Sequence, residues 1–130
     1  MENIEKLEKI CQKIIKIDPK IRSARLINSR GHLVAGGMKE GLLSLEAQKQ
    51  DEMMFMELSL RVRMRHEFDN EFGPVHFSMS YRDKVIIMSF PLTNDDVMLI
   101  SLEKDANFGK LPFKILKIID SLRQTPMKTF

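Results

Sequence analysis

The sequence predicts an α+β fold in which a five-stranded antiparallel sheet carries helices on both faces. Three observations lead there. Near both ends of the chain, apolar residues recur at three- and four-residue spacing, the period of a helix lying on a core. Between the ends run short β-rich stretches separated by turn residues, close enough to pair as hairpins. A middle segment longer than 20 residues is rich in Met, Leu, Glu, Gln and Arg, all good helix formers. The order is helix, two strands, helix, three strands, helix. Hairpins then supply an antiparallel sheet whose faces the helices must cover, the middle helix on one side and the terminal helices on the other.

The first helix is expected over residues 3–17, where Ile4, Leu7, Ile10, Cys11, Ile14 and Ile15 form one stripe. Asn3 can cap it. Asp18-Pro19 stops it, because proline excludes helical geometry at the residue before it. "IRSARLI", the turn Asn28-Ser29-Arg30-Gly31 and "HLVAGG" make a hairpin. Residues 42–68 read two ways. Met56, Leu58, Leu60, Val62 and Met64 alternate as a strand would, but length and composition favour a helix. On that helix Met53, Met56, Leu60 and Met64 make one stripe and Met54, Leu58 and Val62 another, so it needs two things to pack against. After Gly73-Pro74, Val75, Phe77, Met79 and Tyr81 alternate with polar residues as a half-buried strand over 75–81. "KVIIMSF" is nearly all apolar and therefore central, "TNDD" is a turn, and "VMLISLE" is the last strand. Leu111, Ile115, Leu116, Ile118, Ile119 and Leu122 give the final helix, with Pro112 in its first turn, where no donor is required.

At 130 residues the chain has the size of one domain, placed at residues 1–123, with a patternless tail over 124–130 expected to fray. A composition of 43% hydrophobic and 30% charged residues is globular rather than disordered. No apolar run approaches the ~20 residues of a membrane span. "MENIEKLEKI" lacks the basic-then-apolar order of a signal peptide. Cys11 has no partner for an internal disulfide, so a reducing cytoplasm is expected. A net charge of +3 permits acidic partners without requiring them. Ten methionines and no tryptophan point to an adaptable apolar surface, or simply to methionine in place of leucine.

Two stretches carry a family resemblance. "ARLINSRGHLVAGG" is similar to the strand, Asx-x-x-Gly turn and strand of the roadblock (dynein light chain) family, whose fold is close to profilin and longin domains. "VMLISLEKDANFGKLPFKILKIIDSL" resembles that family's last strand, its Asp-Ala-Asn-x-Gly junction (here Asp105, Ala106, Asn107 and Gly109) and its final helix. The resemblance covers residues 4–123 and is strongest to archaeal members of unassigned function. It implies the strand order 2-1-5-4-3. It also implies a dimer with middle helices side by side and sheets joined edge to edge. The family includes binders and regulators of Ras-like small GTPases as well as scaffold and motor light-chain subunits.

Gly36 and Gly41 in "AGGMKEGLL" have the spacing of a phosphate-binding loop. Such a loop needs a lysine where Leu42 stands, followed by a Ser or Thr, so these glycines read instead as a strand-to-helix joint. Asp105 and Asn107 read as turn and cap residues. His32, His66 and His76 are too dispersed for metal spacing, and Cys11 on an apolar helix face reads as a buried thiol. Asp95-Asp96 are ordinary turn residues. No catalytic constellation, cofactor site or metal site is expected.

The expected role is a non-enzymatic homodimeric module that regulates or scaffolds a small GTPase or related partner. Its dimer contact is placed at Met54, Leu58 and Val62, or the stripe beside them, with Val75, Phe77 and Met79 of the edge strand. Arg61, Arg63 and Arg65 read as partner contacts or as surface charge balanced by Glu67, Asp69 and Glu71. The alternative is a lysine face of Lys6, Lys9, Lys13 and Lys16 on the first helix and Lys110, Lys114 and Lys117 on the last. Such a face would attract nucleic acid or an anionic membrane surface, or be simply solvated. A third class is a small-ligand sensor.

Overall fold

A computed structural model describes residues 4–123. Helix α1 (Ile4–Lys16) leads into β1 (Ile21–Ile27) and β2 (Leu33–Met38), followed by α2 (Gln48–Arg65) and the short α3 (Asp69–Phe72). Strands β3 (Ser78–Tyr81), β4 (Ile86–Pro91) and β5 (Val97–Leu102) follow, and α4 (Leu111–Ile119) closes the order. All five strands pair antiparallel in the order β2-β1-β5-β4-β3, as the resemblance implies. The Asn3 cap and the 124–130 tail lie outside the described residues. Among those residues no helix is long and apolar enough to cross a membrane.

The main core lies between the sheet and the α1/α4 pair. Leu7, Cys11, Ile14 and Ile15 meet Leu111, Ile115 and Ile119 over Ala24, Leu26, Met88, Phe90, Met98 and Ile100. Alternation puts the other side chains of these strands under α2. There the buried apolar cluster is small: Phe55 of α2 on Ile27 and Leu99, with Met54, Leu58 and Ile87 beside it. Much of the rest of that sheet face is polar. Register places Ser23 beside Ser101, and Ser78 beside Ser89, on the α2 side.

Three boundaries differ from expectation. The middle helix starts at Gln48, not Leu42. Residues 42–47 are held off the helix by arginines of β1: Arg22 donates to the Leu43 carbonyl and Arg25 pairs with Glu46. The Ala47 N–H then donates to the Gln50 side chain, half of a capping box. At its other end α2 tightens into a 3₁₀ turn, His66–Phe68, before α3. β3 begins at Ser78, not Val75. Where the ladder would continue, Arg123 inserts its guanidinium and donates to the carbonyls of His76 and Pro91. Phe77 turns into the core against Phe90 and Phe113. Finally, α4 enters from Lys110 with Pro112 in its first turn and no side-chain cap, so Asn107 does not cap it.

Candidate interaction surfaces around the middle helix

Helix α2 is apolar on two opposite faces. At 3.6 residues per turn, Phe55, Ser59 and Val62 share the side that faces the sheet, and all three are buried. Ser59 settles its hydroxyl there by donating to the Asn28 carbonyl at 3.2 Å. Met53, Met56, Leu60 and Met64 lie on the opposite side and are 52–66% exposed. An exposed four-residue apolar stripe on one helix is the signature of an interface.

Along its flank toward β3, α2 presents Met54, Glu57, Leu58, Arg61 and Arg65. They face Ser78, Ser80 and Arg82 across a cleft of about 160 Å³. Two of the six expected dimer residues, Met54 and Leu58, therefore meet at one place beside the open edge strand. Met79 is on that strand, but its β4 partner Met88 belongs to the α1/α4 core, so its side chain projects to the other face. The other three are elsewhere. Val62 is only 2% exposed, covered by its own chain. Phe77 is in the core, and Val75 lines a separate cleft of about 380 Å³ with Val62, Pro74, Pro91, Leu92 and Arg123.

The three arginines do not form one cluster. Arg61 pairs with Glu57 at 2.8 Å, one helical turn away and exposed, a contact worth little. Arg63 donates to the Ser29 carbonyl at 3.4 Å, toward the first hairpin. Arg65 donates to Ser78 Oγ at 2.9 Å and ties α2 to β3.

Arg25, in the middle of β1, was not singled out by the sequence reading. Its side chain is buried under α2, 3.3 Å from Asp51 and 3.6 Å from Glu46, with its guanidinium 5.3 Å from the Phe55 ring centroid. Its Nε has no partner among the described residues. Burial, reinforced by a hydrogen bond with Glu46, pushes the Asp51 carboxyl up to about 6. That bond holds Glu46 below its ordinary value. Below about pH 6 Asp51 takes up a proton that it can share with Glu46, beside one buried cation.

The glycine stretch is engaged within the chain. Gly36 lies within β2 at φ 89° and donates its N–H to the Glu8 carboxylate at 3.2 Å, so an acidic side chain occupies the place an anion would take. Gly41 at φ 87° turns the chain out of β2 toward the loop. Asp105 pairs with Lys20 at 2.8 Å. Burial pushes the Cys11 thiol up to about 12. On the far layer, Lys6, Lys9, Lys13 and Lys16 of α1 and Lys110, Lys114 and Lys117 of α4 are all exposed, and the two helices are neighbours. Both helices therefore carry lysines on the side of the sheet away from α2.

Solved structures share this fold, among them the following three. A Roadblock/LC7 domain from Streptomyces avermitilis aligns over 89% of this chain and 93% of its own, at 14% identity and a TM-score of 0.68. The gliding protein MglB from Thermus thermophilus aligns over 95% and 93%, at 8% identity and a TM-score of 0.73. MglB in a tetrameric arrangement aligns over 95% and 90%, at 9% identity and a TM-score of 0.77. No curated protein matches the sequence. Residues 1–124 match a family of unknown function, DUF6659. With its five-stranded sheet, its two helical layers and this match along nearly its whole length, the chain belongs to the DUF6659 family and has the roadblock fold.

Proposed function

We propose that the chain is a non-enzymatic, homodimeric interaction module of the cytoplasm, acting as one unit over residues 1–123. In this reading it regulates or scaffolds a small Ras-like GTPase or a related partner. The observation that carries the reading is the doubly apolar α2 beside an unpaired edge strand. Pairing β3 with β3 of a second copy would satisfy the open edge and bring the Met54 and Leu58 clefts together about a two-fold axis, with Met79 of each copy along the seam. The outward Met53, Met56, Leu60 and Met64 stripes of two such helices would then form one broad methionine surface. Methionine suits a surface that must adapt to a partner. Arg61 and Arg63 flank this stripe as polar contacts, whereas Arg65 is already engaged by β3.

The GTPase as partner comes from the roadblock likeness. The chain itself holds no nucleotide in this reading: Leu42 replaces the phosphate-loop lysine, and Gly36 is committed to Glu8. Regulation would then consist of binding one nucleotide state of the partner better than the other, the only way a binder shifts that equilibrium. The test is to mix the purified chain with each Ras-like GTPase of its own organism, loaded with GDP or a GTP analogue. A complex with at least one of them, tighter in one nucleotide state and weakened by Met56→Asp and Leu60→Asp, is expected. No complex in either state, or micromolar binding of GTP and magnesium by the chain alone, would overturn the proposal.

A further inference from the structure

The lysine face carries aromatic side chains that the sequence does not bring together. Tyr81 at the end of β3, Phe108 in the loop before α4 and Phe113 on α4 are 60%, 43% and 55% exposed. The Tyr81 and Phe108 ring centroids are 5.8 Å apart, and Lys104 Nζ sits 4.0 Å from the Tyr81 centroid. Phe113 stands edge-on to Phe77, 5.6 Å away, which roots it in the core while its outer side faces solvent. On α4, Lys110, Lys114 and Lys117 share the outward arc with Phe113. Among the described residues none of these three lysines, nor Lys104, takes part in an ion pair. The nearby acids Asp105 and Asp120 are engaged with Lys20 and Arg123. Tyr81 projects to the α4 side of the sheet, because its β4 partner Ile86 belongs to the α1/α4 core. The patch therefore lies on the other side of the sheet from the α2 surface.

From this juxtaposition we infer that the α4 face docks onto an anionic phospholipid surface. Exposed rings amid lysines are what a membrane interface selects: the rings enter the headgroup layer and the ammonium groups meet the lipid phosphates. Single-stranded nucleic acid fits less well. Base stacking needs open ring faces, but Lys104 covers one face of Tyr81 and Phe108 leans against that ring. The remaining lysines, Lys6, Lys9, Lys13 and Lys16 on α1, extend the positive surface and orient the approach.

The test is co-sedimentation of the full chain with vesicles of phosphatidylcholine alone and of phosphatidylcholine mixed with phosphatidylglycerol, at low and high salt. Binding only to the mixed vesicles, weakened by salt, is expected. Lys110→Glu with Lys114→Glu and Lys117→Glu should weaken it by roughly a hundredfold or more. Phe108→Ser with Phe113→Ser should weaken it about tenfold. Should that pair fail to fold, judged by its melting curve, Phe108→Ser alone is measured, with a severalfold loss expected. No binding to mixed vesicles, equal binding to neutral ones, or no loss on reversing the lysines would overturn the inference. So would binding of a mixed-sequence single-stranded oligonucleotide without vesicle binding.

Discussion

Three glycines in one short stretch, changed singly to alanine, should have three different effects. Gly36 is at φ 89°, and a Cβ there would lie 2.1 Å from the Ala24 carbonyl oxygen and 2.9 Å from Cys11 Sγ. A normal carbon–oxygen approach is about 3.3 Å, so β2 would have to move away from β1 by about an ångström. The ladder between them and the contact of α1 with both would loosen together. The backbone strain alone is worth about 1–3 kcal/mol. Adding the clash and lost packing puts Gly36→Ala above ~4 kcal/mol, most of the stability of a small domain. Gly41 is also at positive φ, 87°, but nothing lies within 4 Å of its Cβ position, so Gly41→Ala should cost about 1–2 kcal/mol. Gly37 has neither constraint, and Gly37→Ala should be neutral or stabilising by up to ~0.5 kcal/mol, through the unfolded chain. Urea unfolding at one fixed protein concentration reads all three, since an associating chain has concentration-dependent stability. If Gly36→Ala fell within about 1 kcal/mol of Gly41→Ala, the reasoning from close strand approach would be wrong.

Two further outcomes follow from buried groups. Cys11 is fully buried with its thiol pushed up to about 12, so a thiol reagent at neutral pH should label it only as fast as the chain unfolds. Rapid stoichiometric labelling of the folded chain would contradict its place under Gly36. Asp51 titrates in the folded chain at about 6, above its ordinary 3.8, so folding favours its protonated form. That contribution is complete below pH 3.8 and is lost as pH rises through about 6. Glu46, held low, works in the opposite sense: its contribution is present above its ordinary 4.5 and is lost as pH falls. Asp51→Asn removes the first contribution, while its amide N–H can still donate to Glu46 and keep the second. The stability of the unaltered chain relative to this variant should therefore decline across pH 3.8 to 6, and a flat difference would rule out the shared proton.

The hairpins and both terminal helices were legible because each stripe or alternating run is local and faces one core; the strand order came from the roadblock resemblance. The boundaries that moved were set by distant side chains. Nothing in "VHFSMSY" shows that Arg123 will take the His76 carbonyl and end the ladder at Ser78. Nothing in "GLLSLEAQ" shows that Arg22 and Arg25 will hold residues 42–47 off a helix. The two stripes of α2 were visible, but not which one faces inward. Phe55, between them in sequence, decides it by packing on Ile27 and Leu99. That left Val62 buried and the methionine stripe outside. The aromatic patch was invisible for the simplest reason: Tyr81 lies far along the chain from Phe108 and Phe113, and only the sheet brings them to one face.

The account rests on α2 and β3 forming a self-complementary surface, and sedimentation equilibrium tests that most directly. At micromolar concentration the chain should sediment with twice its 15.1 kDa mass. Leu58→Glu, placed in the cleft beside β3, should return it to the single-chain mass while leaving its circular dichroism unchanged. A concentration-independent mass of 15.1 kDa for the unaltered chain would contradict the account.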